Sequence, residues 1–529
     1  MTYYEYAKQN FIDNKVMAFR GKKGLIELYS SVKDEDIETL TPIFLTDKDG
    51  MRIYRRTATF ILVVATQMLF DKELIVNHHI SGGYFCEFKD TKVVSKEDIN
   101  LIKEKMQQLV DAKLPIIKEV ILTDDAIASF EEQRLLGKSE LFHYRRASTV
   151  NTYVLEGIRD YFYGYMLPNT ELVNVFDLMP VEGGFILQFP DTVDPSKVTN
   201  WTNQPKLAAV FKESKEWARI LGVDVAAALN RCIVEGTIAD LIRTQEALHE
   251  KKIAAIADAI ICCGTKKVVL ISGPSSSGKT TFSKRLCVQL KVNGLKPKLI
   301  SMDDYFVDRE LTPRDEFGEI DFESVDAIDI ELFNNTLSEL VDGKIVEIPS
   351  YNFKTGSREY KGNFLQLDKG DILVIEGIHG LNPKIGSSIS MDQKYKIYVS
   401  ALTQLNIDYH NRISTTDSRL LRRMIRDNTY RGITPEETLS RWASVRRGEE
   451  KNIFPYQEEA DMMFNTVLIY ELAVLKQKAE ALLFGIDRSS MYYEEAKRLL
   501  KFLEYFLGTD TTQIPYNSIL REFIGGLRV

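Results

Sequence analysis

Residues 268–286 read VVLISGPSSSGKTTFSKRL and decide how the second half of the chain is interpreted. The apolar run Val268–Ile271 predicts a buried parallel strand, a glycine- and serine-rich turn follows, and Lys279-Thr280-Thr281 open a helix. This is the pattern G-x-x-x-x-G-K-[ST] in its strand–loop–helix setting. Small residues let backbone N–H groups converge on phosphate oxygens, and the helix N-terminus adds positive potential. The stretch therefore predicts a nucleoside triphosphate site.

The individual residues of this phosphate loop have distinct expected parts. Lys279 is expected to bridge the β- and γ-phosphates, and Thr280 to offer its hydroxyl to Mg²⁺. Nucleotide binding is assigned to the loop as a whole: Gly273, Pro274, Ser275, Ser276, Ser277, Gly278, Lys279, Thr280 and Thr281. The predicted cofactors are accordingly ATP or GTP, together with Mg²⁺.

The amino-acid composition limits which class of protein this chain can be. The 529 residues are 44% hydrophobic and 27% charged, which is ordinary globular material for about three domains. The net charge of −8 argues against a protein that coats nucleic acid. We expect a cytoplasmic protein without a membrane segment, because no signal-peptide pattern opens the chain and its apolar runs are short. Metal-knuckle spacing is lacking among the cysteines, for which we expect reduced, buried thiols: Cys86, Cys232, Cys262, Cys263 and Cys287.

Shifts in hydrophobic pattern divide the chain into five predicted regions. These are a β-rich module (1–55), an α+β region (56–190), a helical connector (191–262), the phosphate-loop domain (263–484) and a C-terminal helical extension (485–529). Alternating strands and helices after Val268 predict an α/β domain with a doubly wound parallel sheet, whose ligands collect at the carboxyl ends of the strands. Residues 460–484 are predicted as one long amphipathic helix.

Acidic residues follow two of the predicted strands. Asp303 ends the strand that starts at Lys298, and we expect its carboxylate to take a proton from an acceptor hydroxyl. Glu376 ends the apolar run DILVIE and suits a Mg²⁺ shell. Farther on, Arg419 and Arg422 begin a row of arginines at helical spacing. This row favours a basic lid over the triphosphate rather than a solvated helix face.

Several motifs of the second half resemble one known family. GPSSSGKTT, SMDDYF, FGEIDFESVDAID, IPSYNFKTGSR, IEGIHGL and TTDSRLLRRMIRDNTYRG resemble, in this order, the uridine kinases of the phosphoribulokinase/uridine kinase superfamily. The resemblance implies transfer of the γ-phosphate of ATP or GTP to the 5′-hydroxyl of a nucleoside, with uridine or cytidine favoured. It makes Asp303 the base, Glu376 a Mg²⁺ partner, and Arg419 and Arg422 contacts near the lid.

The same resemblance implies which side chains hold the nucleoside. They are Asp303, Tyr305, Phe322, Glu323, Tyr351, Arg358 and Arg419. Two positions depart from the family pattern. Glu323 stands where an Asp usually holds the ribose hydroxyls, and Gly356 stands where a His reads the pyrimidine edge. The exact nucleoside, the choice of ATP or GTP and the oligomeric state therefore stay open.

The first half resembles a different family. DGMRIYRRTATFILVVATQMLF, HHISGGYFCEF and YGYMLPNTELVNVFDLM resemble the editing region of threonyl-tRNA synthetases, and the preceding module looks like their small β-grasp domain, shortened. The histidine and cysteine positions that line the editing pocket of those enzymes are held here by Arg56, Phe60, Phe162 and Met166. We therefore expect a packing or binding module without editing activity.

The sequence leaves two rival functions open. One is a kinase of another small alcohol, against which the segment IPSYNF–SR favours a nucleoside. The other is a tRNA- or nucleotide-responsive regulator that uses its nucleotide site as a switch. A kinase should consume ATP only when its acceptor is present, whereas a regulator should respond to tRNA.

Overall fold

The computed structural model describes residues 1–11, 15–22, 24–70, 72–89, 93–403 and 405–529, without the side chains of 34–36. Its first half mixes helices and antiparallel strands. In chain order these are α1 (Tyr3–Asn10), β1 (Val16–Gly21), β2 (Gly24–Ile26), β3 (Thr41–Phe44), α2 (Lys48–Leu69), β4 (Leu74–Ile80), β5 (Gly83–Phe88), α3 (Lys96–Asp111), β6 (Ile117–Leu122), α4 (Thr123–Glu132), α5 (Leu136–His143), β7 (Thr149–Leu155), β8 (Ile158–Asp160), β9 (Asp177–Val181) and β10 (Gly184–Gln188).

Three antiparallel sheets organise this half. Their strand orders are β2-β1-β3, β4-β5-β10-β9 and β6-β7-β8. Helix α2 contributes an almost continuous buried run, Thr57–Thr66, to the core between these sheets and α3. The α+β character predicted for the first half is therefore confirmed.

A helical connector follows, made of α6 (Pro205–Leu221), α7 (Ala226–Val234) and α8 (Ile238–Cys262). Helix α8 packs lengthwise against the helix that begins at the phosphate loop. Its buried residues stop at Ile260, so the last turn projects into solvent. Cys262 and Cys263 are consequently exposed and Cys232 is half-buried, so the expectation that all the thiols are buried was wrong for these three.

The second half contains the remaining elements. They are β11 (Val268–Ser272), α9 (Lys279–Val292), β12 (Lys296–Ser301), α10 (Ile330–Val341), β13 (Val346–Glu347), β14 (Ser350–Asn352), β15 (Ser357–Glu359), β16 (Phe364–Leu365), β17 (Asp371–Glu376), β18 (Lys394–Ser400), α11 (Thr415–Arg431), α12 (Pro435–Asn452), β19 (Met462–Asn465), α13 (Glu471–Phe484), α14 (Tyr493–Leu503) and α15 (Arg521–Ile524).

A five-stranded parallel sheet with the order β12-β17-β11-β18-β19 forms the centre of this half. Strand β11 lies in its middle, and alternate residues of that strand enter different cores, as the pleat requires. Val269 and Ile271 pack with α8, α9 and α11, whereas Val268 and Leu270 pack with α10. Helices thus cover both faces, which confirms the predicted doubly wound sheet.

One predicted helix is wrong. Residues 460–484 do not form a single helix, because Met462–Asn465 is strand β19 and pairs with β18, and only Glu471–Phe484 is helical. The Asn465 side chain accepts hydrogen bonds from the backbone N–H groups of Leu402 and Val467 and thereby ties together the segments that follow β18 and β19. Short apolar runs do not distinguish a strand from a helix, and here pairing at the sheet edge decided the outcome.

The C-terminal extension touches both halves of the molecule. On α14, Glu494 accepts a hydrogen bond from the Leu25 N–H in β2, and Arg498 forms a salt bridge with Asp417 of α11. None of the helices in the described ranges combines the length and the apolar character needed to cross a bilayer.

Candidate active site

The phosphate loop turns sharply between β11 and α9. A Cβ on Gly273 would lie 2.0 Å from the carbonyl oxygen of Val399, so only glycine allows the loop to pass this close to β18. Ser276 and Gly278 both take a positive φ, at 59° and 84°. Lys279 Nζ donates to the Pro274 carbonyl at 3.1 Å, so its side chain folds back across the loop.

Side chains from α11 and from the residue after β19 donate hydrogen bonds to the carbonyl groups of the loop. Arg419 Nε donates to Ser275 O at 3.1 Å, and Thr466 Oγ1 donates to Ser277 O at 2.6 Å. The hydroxyls of Ser276 and Ser277 are buried and have no hydrogen-bond partner among the described residues. Unpaired donors in a loop of this shape are what an anionic ligand would satisfy.

The two arginines that the sequence assigns to catalysis lie behind the loop. Arg419 is paired with Glu449, and Arg422 with Glu471, and both side chains are at most 2% exposed. The apolar face of α11 is packed in the core rather than raised over a cleft. The structure thus gives both arginines a loop-positioning role, and their contact with substrate stays a prediction.

An acidic edge faces the start of α9. Thr280 Oγ1 donates to Glu376 Oε1 at 3.1 Å. Burial, reinforced by the nearby Asp303 carboxylate, raises the pKa of Glu376 to about 7, against the lowering effect of Lys279. A hydroxyl and a carboxylate held side by side, with negative charge in excess, fit Mg²⁺, which binds one or two carboxylates and completes its shell with water and phosphate. Thr280 and Glu376 would hold the ion, and the ion would neutralise charge on the phosphates.

The neighbouring aspartates at the end of β12 have different surroundings. Asp304 Oδ1 accepts a hydrogen bond from the Tyr351 N–H at 3.2 Å and so anchors β14, while burial raises the pKa of its carboxyl group. Within the described part of the chain, the Asp303 carboxylate accepts no hydrogen bond, and it lies close enough to Glu376 to affect that residue's pKa. Asp303 is therefore the aspartate that is available to a substrate.

Aromatic rings cluster beside the aspartates. The Phe306 ring lies 6.2 Å from Phe322 and 5.6 Å from Tyr351, and the Tyr351 and Phe353 rings are 5.1 Å apart. Phe322 is 39% exposed, and the buried Tyr351 hydroxyl has no partner among the described residues. Such a cluster suits a planar ring. The sequence alone did not point to Phe306 and Phe353, although they lie in the motifs SMDDYF and IPSYNFKTGSR.

The structure explains why position 356 is a glycine. Its φ is +74°, and a Cβ at this position would lie 2.8 Å from Arg309 Nε. Arg309 donates its backbone N–H to Gly356 O at 2.8 Å and Nη2 to Phe353 O at 2.6 Å. The guanidinium group of Arg309 therefore fills the space that a side chain at position 356 would need.

Of three other predicted substrate residues, Tyr305 and Glu323 are buried and Arg358 is half-buried. Tyr305 is fully buried, with its ring 4.9 Å from that of Phe333. Arg358 Nη1 pairs with Asp329 Oδ2 at 3.0 Å. Burial, together with Glu449, raises the pKa of Glu323 to about 7. The structure brings these side chains near the site, and their contact with substrate stays a prediction.

Two carboxylates at the loop were missed in the sequence. Glu449 Oε1 accepts the Ser275 N–H at 3.1 Å. Glu522 Oε2 accepts the Thr281 N–H at 3.2 Å and the Thr281 hydroxyl at 2.7 Å. Both come from segments far along the chain, and neither lies in a motif, so no local pattern could have pointed to them.

The four residues that the resemblance to threonyl-tRNA synthetases assigns to editing positions belong to the packed core of the N-terminal half. The rings of Phe60 and Phe162 are 5.5 Å apart, and both residues, like Met166, are at most 3% exposed. The Arg56 guanidinium packs against Gly164 and donates to the Tyr165 carbonyl. Apolar side chains thus occupy the place where a hydrolytic base would be needed.

Comparison with known proteins divides the chain in the same way. The Phosphoribulokinase / Uridine kinase family profile matches residues 268–473. Uridine-cytidine kinase 2-B of Danio rerio is 30% identical over 203 residues, which cover 36% of this chain and 70% of that protein. The chain belongs to the phosphoribulokinase/uridine kinase family. Another relative in the family, the uridine kinase of Clostridium botulinum (strain Okra / Type B1), is 30% identical over 34% of this chain and 80% of its own length.

The N-terminal half matches a different protein. The threonine–tRNA ligase of Desulfovibrio desulfuricans is 26% identical over 183 residues, which cover 34% of this chain but only 28% of the ligase. The match therefore spans less than a third of the ligase's own length. Among solved structures, one described as a possible uridine kinase from Bacillus stearothermophilus is 19% identical, covering 41% of this chain and 98% of its own, with a TM-score of 0.28.

Proposed function

We propose that this member of the family is a Mg²⁺-dependent nucleoside kinase, which transfers the γ-phosphate of ATP or GTP to the 5′-hydroxyl of a nucleoside, with uridine and cytidine favoured. One observation carries the proposal. At the carboxyl edge of the parallel sheet, the unpaired Asp303 carboxylate and the Thr280–Glu376 pair lie together, next to the aromatic cluster of Phe306, Phe322, Tyr351 and Phe353. The relatives named as uridine kinases support the choice of nucleoside.

Each of the side chains at the site has a role in the proposed reaction. The planar base stacks among the aromatic rings, and Asp303 accepts the proton of the 5′-hydroxyl as it attacks. Lys279 moves from the Pro274 carbonyl to the β- and γ-phosphates, and Thr280 and Glu376 would hold Mg²⁺. Arg419 and Arg422 keep the loop in shape from behind. Most of the acceleration would come from positioning and charge neutralisation.

The test is a turnover assay of the full chain with ATP or GTP and a panel of uridine, cytidine, adenosine, guanosine and inosine. Production of nucleoside monophosphate in proportion to ADP or GDP is expected. Nucleotide consumption that is independent of every nucleoside but stimulated by tRNA would favour the regulator instead. Consumption that needs another small alcohol would identify the other rival.

A further inference from the structure

The end of the chain lies on the phosphate loop. Residues 515–524, here called the capping segment, bury Ile519 and Phe523 completely. A Cβ on Gly278 would lie only 2.6 Å from Ile519 Cγ2, and the Phe523 ring lies 5.0 Å from the Arg422 guanidinium. The segment thus covers the same loop that is proposed to bind nucleotide.

Glu522 brings a negative charge to the donors of that loop. Its carboxylate binds both the N–H and the hydroxyl of Thr281, in the first turn of α9. Free N–H groups at the start of this helix are the donors that a phosphate group would use. The pKa of Glu376, raised mainly by burial and Asp303, is raised further by Glu522, so the charge of Glu522 acts on the acidic edge where Mg²⁺ and phosphates are expected.

We propose that the capping segment is autoinhibitory and that Glu522 occupies a nucleotide phosphate position, which it must leave before ATP or GTP can bind. The inference rests on the nucleotide site of the proposed function. A carboxylate and a phosphate cannot share the Thr281 donors, and the two negative charges repel each other in a site already bordered by Asp303 and Glu376. Nucleotide and capping segment therefore compete.

The segment itself is packed in the core through Ile519, Leu520 and Phe523, so release of Glu522 from Thr281 is the step that frees the site. Arg521 Nη2 donates to Thr511 O at 2.9 Å and to Ile514 O at 2.7 Å, which ties the segment to the residues just before it. Beyond α15, Gly525 and Gly526 both have positive φ. Its contacts with the loop and the start of α9 include the Glu522 hydrogen bonds and the packing of Ile519 on Gly278, and a bound triphosphate would replace the first of these.

The test compares nucleotide affinity in the full chain and in Glu522→Gln, which keeps the shape of the side chain and removes its charge. Binding of a fluorescent ATP analogue with Mg²⁺ should be about tenfold tighter in the variant, equivalent to about 1.4 kcal/mol. Glu504→Gln, an exposed position in the same extension, is the matched control and should bind like the native chain. Equal or weaker binding by Glu522→Gln, or no binding by either protein, overturns the inference.

Hydrogen exchange supplies a second measurement that needs no variant. Saturating ATP analogue should increase deuterium uptake in residues 515–524 and decrease it in residues 273–281. Decreased uptake in both would mean that the segment is part of the nucleotide site, which contradicts autoinhibition. These readouts need no acceptor, so a failed nucleoside panel would reject the proposed reaction while leaving the competition between Glu522 and nucleotide measurable.

Discussion

Thr280 Oγ1 and Glu376 Oε1 lie 3.1 Å apart and join the first turn of α9 to the end of β17. Parallel pairing of β11 with β17 brings the two side chains together, because Ile271, just before the phosphate loop, is in register with Glu376. A hydroxyl from the loop and a carboxylate from the neighbouring strand thus meet where phosphate oxygens are expected. This relationship is the structural basis for placing Mg²⁺ here.

Replacing Glu376 by Gln should weaken the Mg²⁺ dependence of turnover. The amide keeps the hydrogen bond to Thr280 but removes the negative charge that would bind the cation. We expect the Mg²⁺ concentration at half-maximal rate to rise roughly 10- to 100-fold, the usual effect of disturbing a metal site. The measurement is a Mg²⁺ titration at saturating ATP, with the exposed Glu331→Gln as control. An unchanged titration would place the ion elsewhere.

Arg309 should influence which nucleoside is accepted. Its guanidinium group fills the space beside Gly356 and lies next to the aromatic cluster, where it can donate to acceptors on a base. Replacing it by Ala should lower kcat/KM for the preferred nucleoside at least about tenfold, because a hydrogen bond to a charged group contributes about 1.5–3 kcal/mol. The less preferred nucleosides should change little.

The matched control for this position is Arg314→Ala in the same loop, where Nη1 donates to the Gly318 carbonyl. It should leave the order of nucleosides unchanged. If Arg309→Ala lowers kcat/KM equally for every nucleoside, the arginine supports the loop and does not read the base.

A buried charge network joins the two halves. Lys138 of α5 pairs with Asp160 at the end of β8, and Asp160 Oδ2 lies 2.7 Å from His410 Nδ1 in the second half. Replacing Asp160 by Asn should destabilise the fold by about 3–5 kcal/mol, because it leaves a buried lysine poorly compensated. Denaturant unfolding measures this, with the half-exposed Asp194→Asn as control. A loss below 1 kcal/mol, the range of surface ion pairs, would contradict a structural role for the network.

The same network predicts an acid limit. Burial alone would raise the pKa of Asp160, but Lys138 and His410 outweigh it and lower the pKa from 3.8 to about 2. A depressed pKa contributes stability that is present above the unfolded value and is lost as pH falls through the folded value. The native chain should therefore lose stability between about pH 4 and pH 2, and Asp160→Asn should lose less over this window. Parallel pH profiles for the two proteins would refute the assignment.

The N-terminal half should not hydrolyse aminoacyl-tRNA. Of the four residues at the former editing positions, only Arg56 is polar, and arginine stays protonated and cannot act as a base. Seryl-tRNA incubated with the full chain should therefore decay at the rate measured without protein. Faster release of serine would show that another group performs the chemistry.

Sequence reasoning succeeded where short segments carry the information. The phosphate loop, the apolar strands beside it and the acidic residues at their ends follow from patterns of a few residues, and parallel pairing then brings Asp303 and Glu376 to one edge. It failed where contacts between distant segments decide the structure. Strand β19 forms because β18 offers an edge, and Glu522 reaches Thr281 because the C-terminal extension folds back over the molecule.

The assignment of the base, and with it the central claim, is tested most directly by comparing Asp303→Asn with Asp304→Asn in the nucleoside-dependent assay. Asp303→Asn should keep nucleotide binding while kcat falls roughly 10²- to 10⁴-fold, because the amide cannot accept the proton of the 5′-hydroxyl. Asp304→Asn should mainly raise KM for the nucleoside, because Asp304 anchors Tyr351. Full turnover by Asp303→Asn, or no nucleoside-dependent turnover by the native chain, would contradict the account.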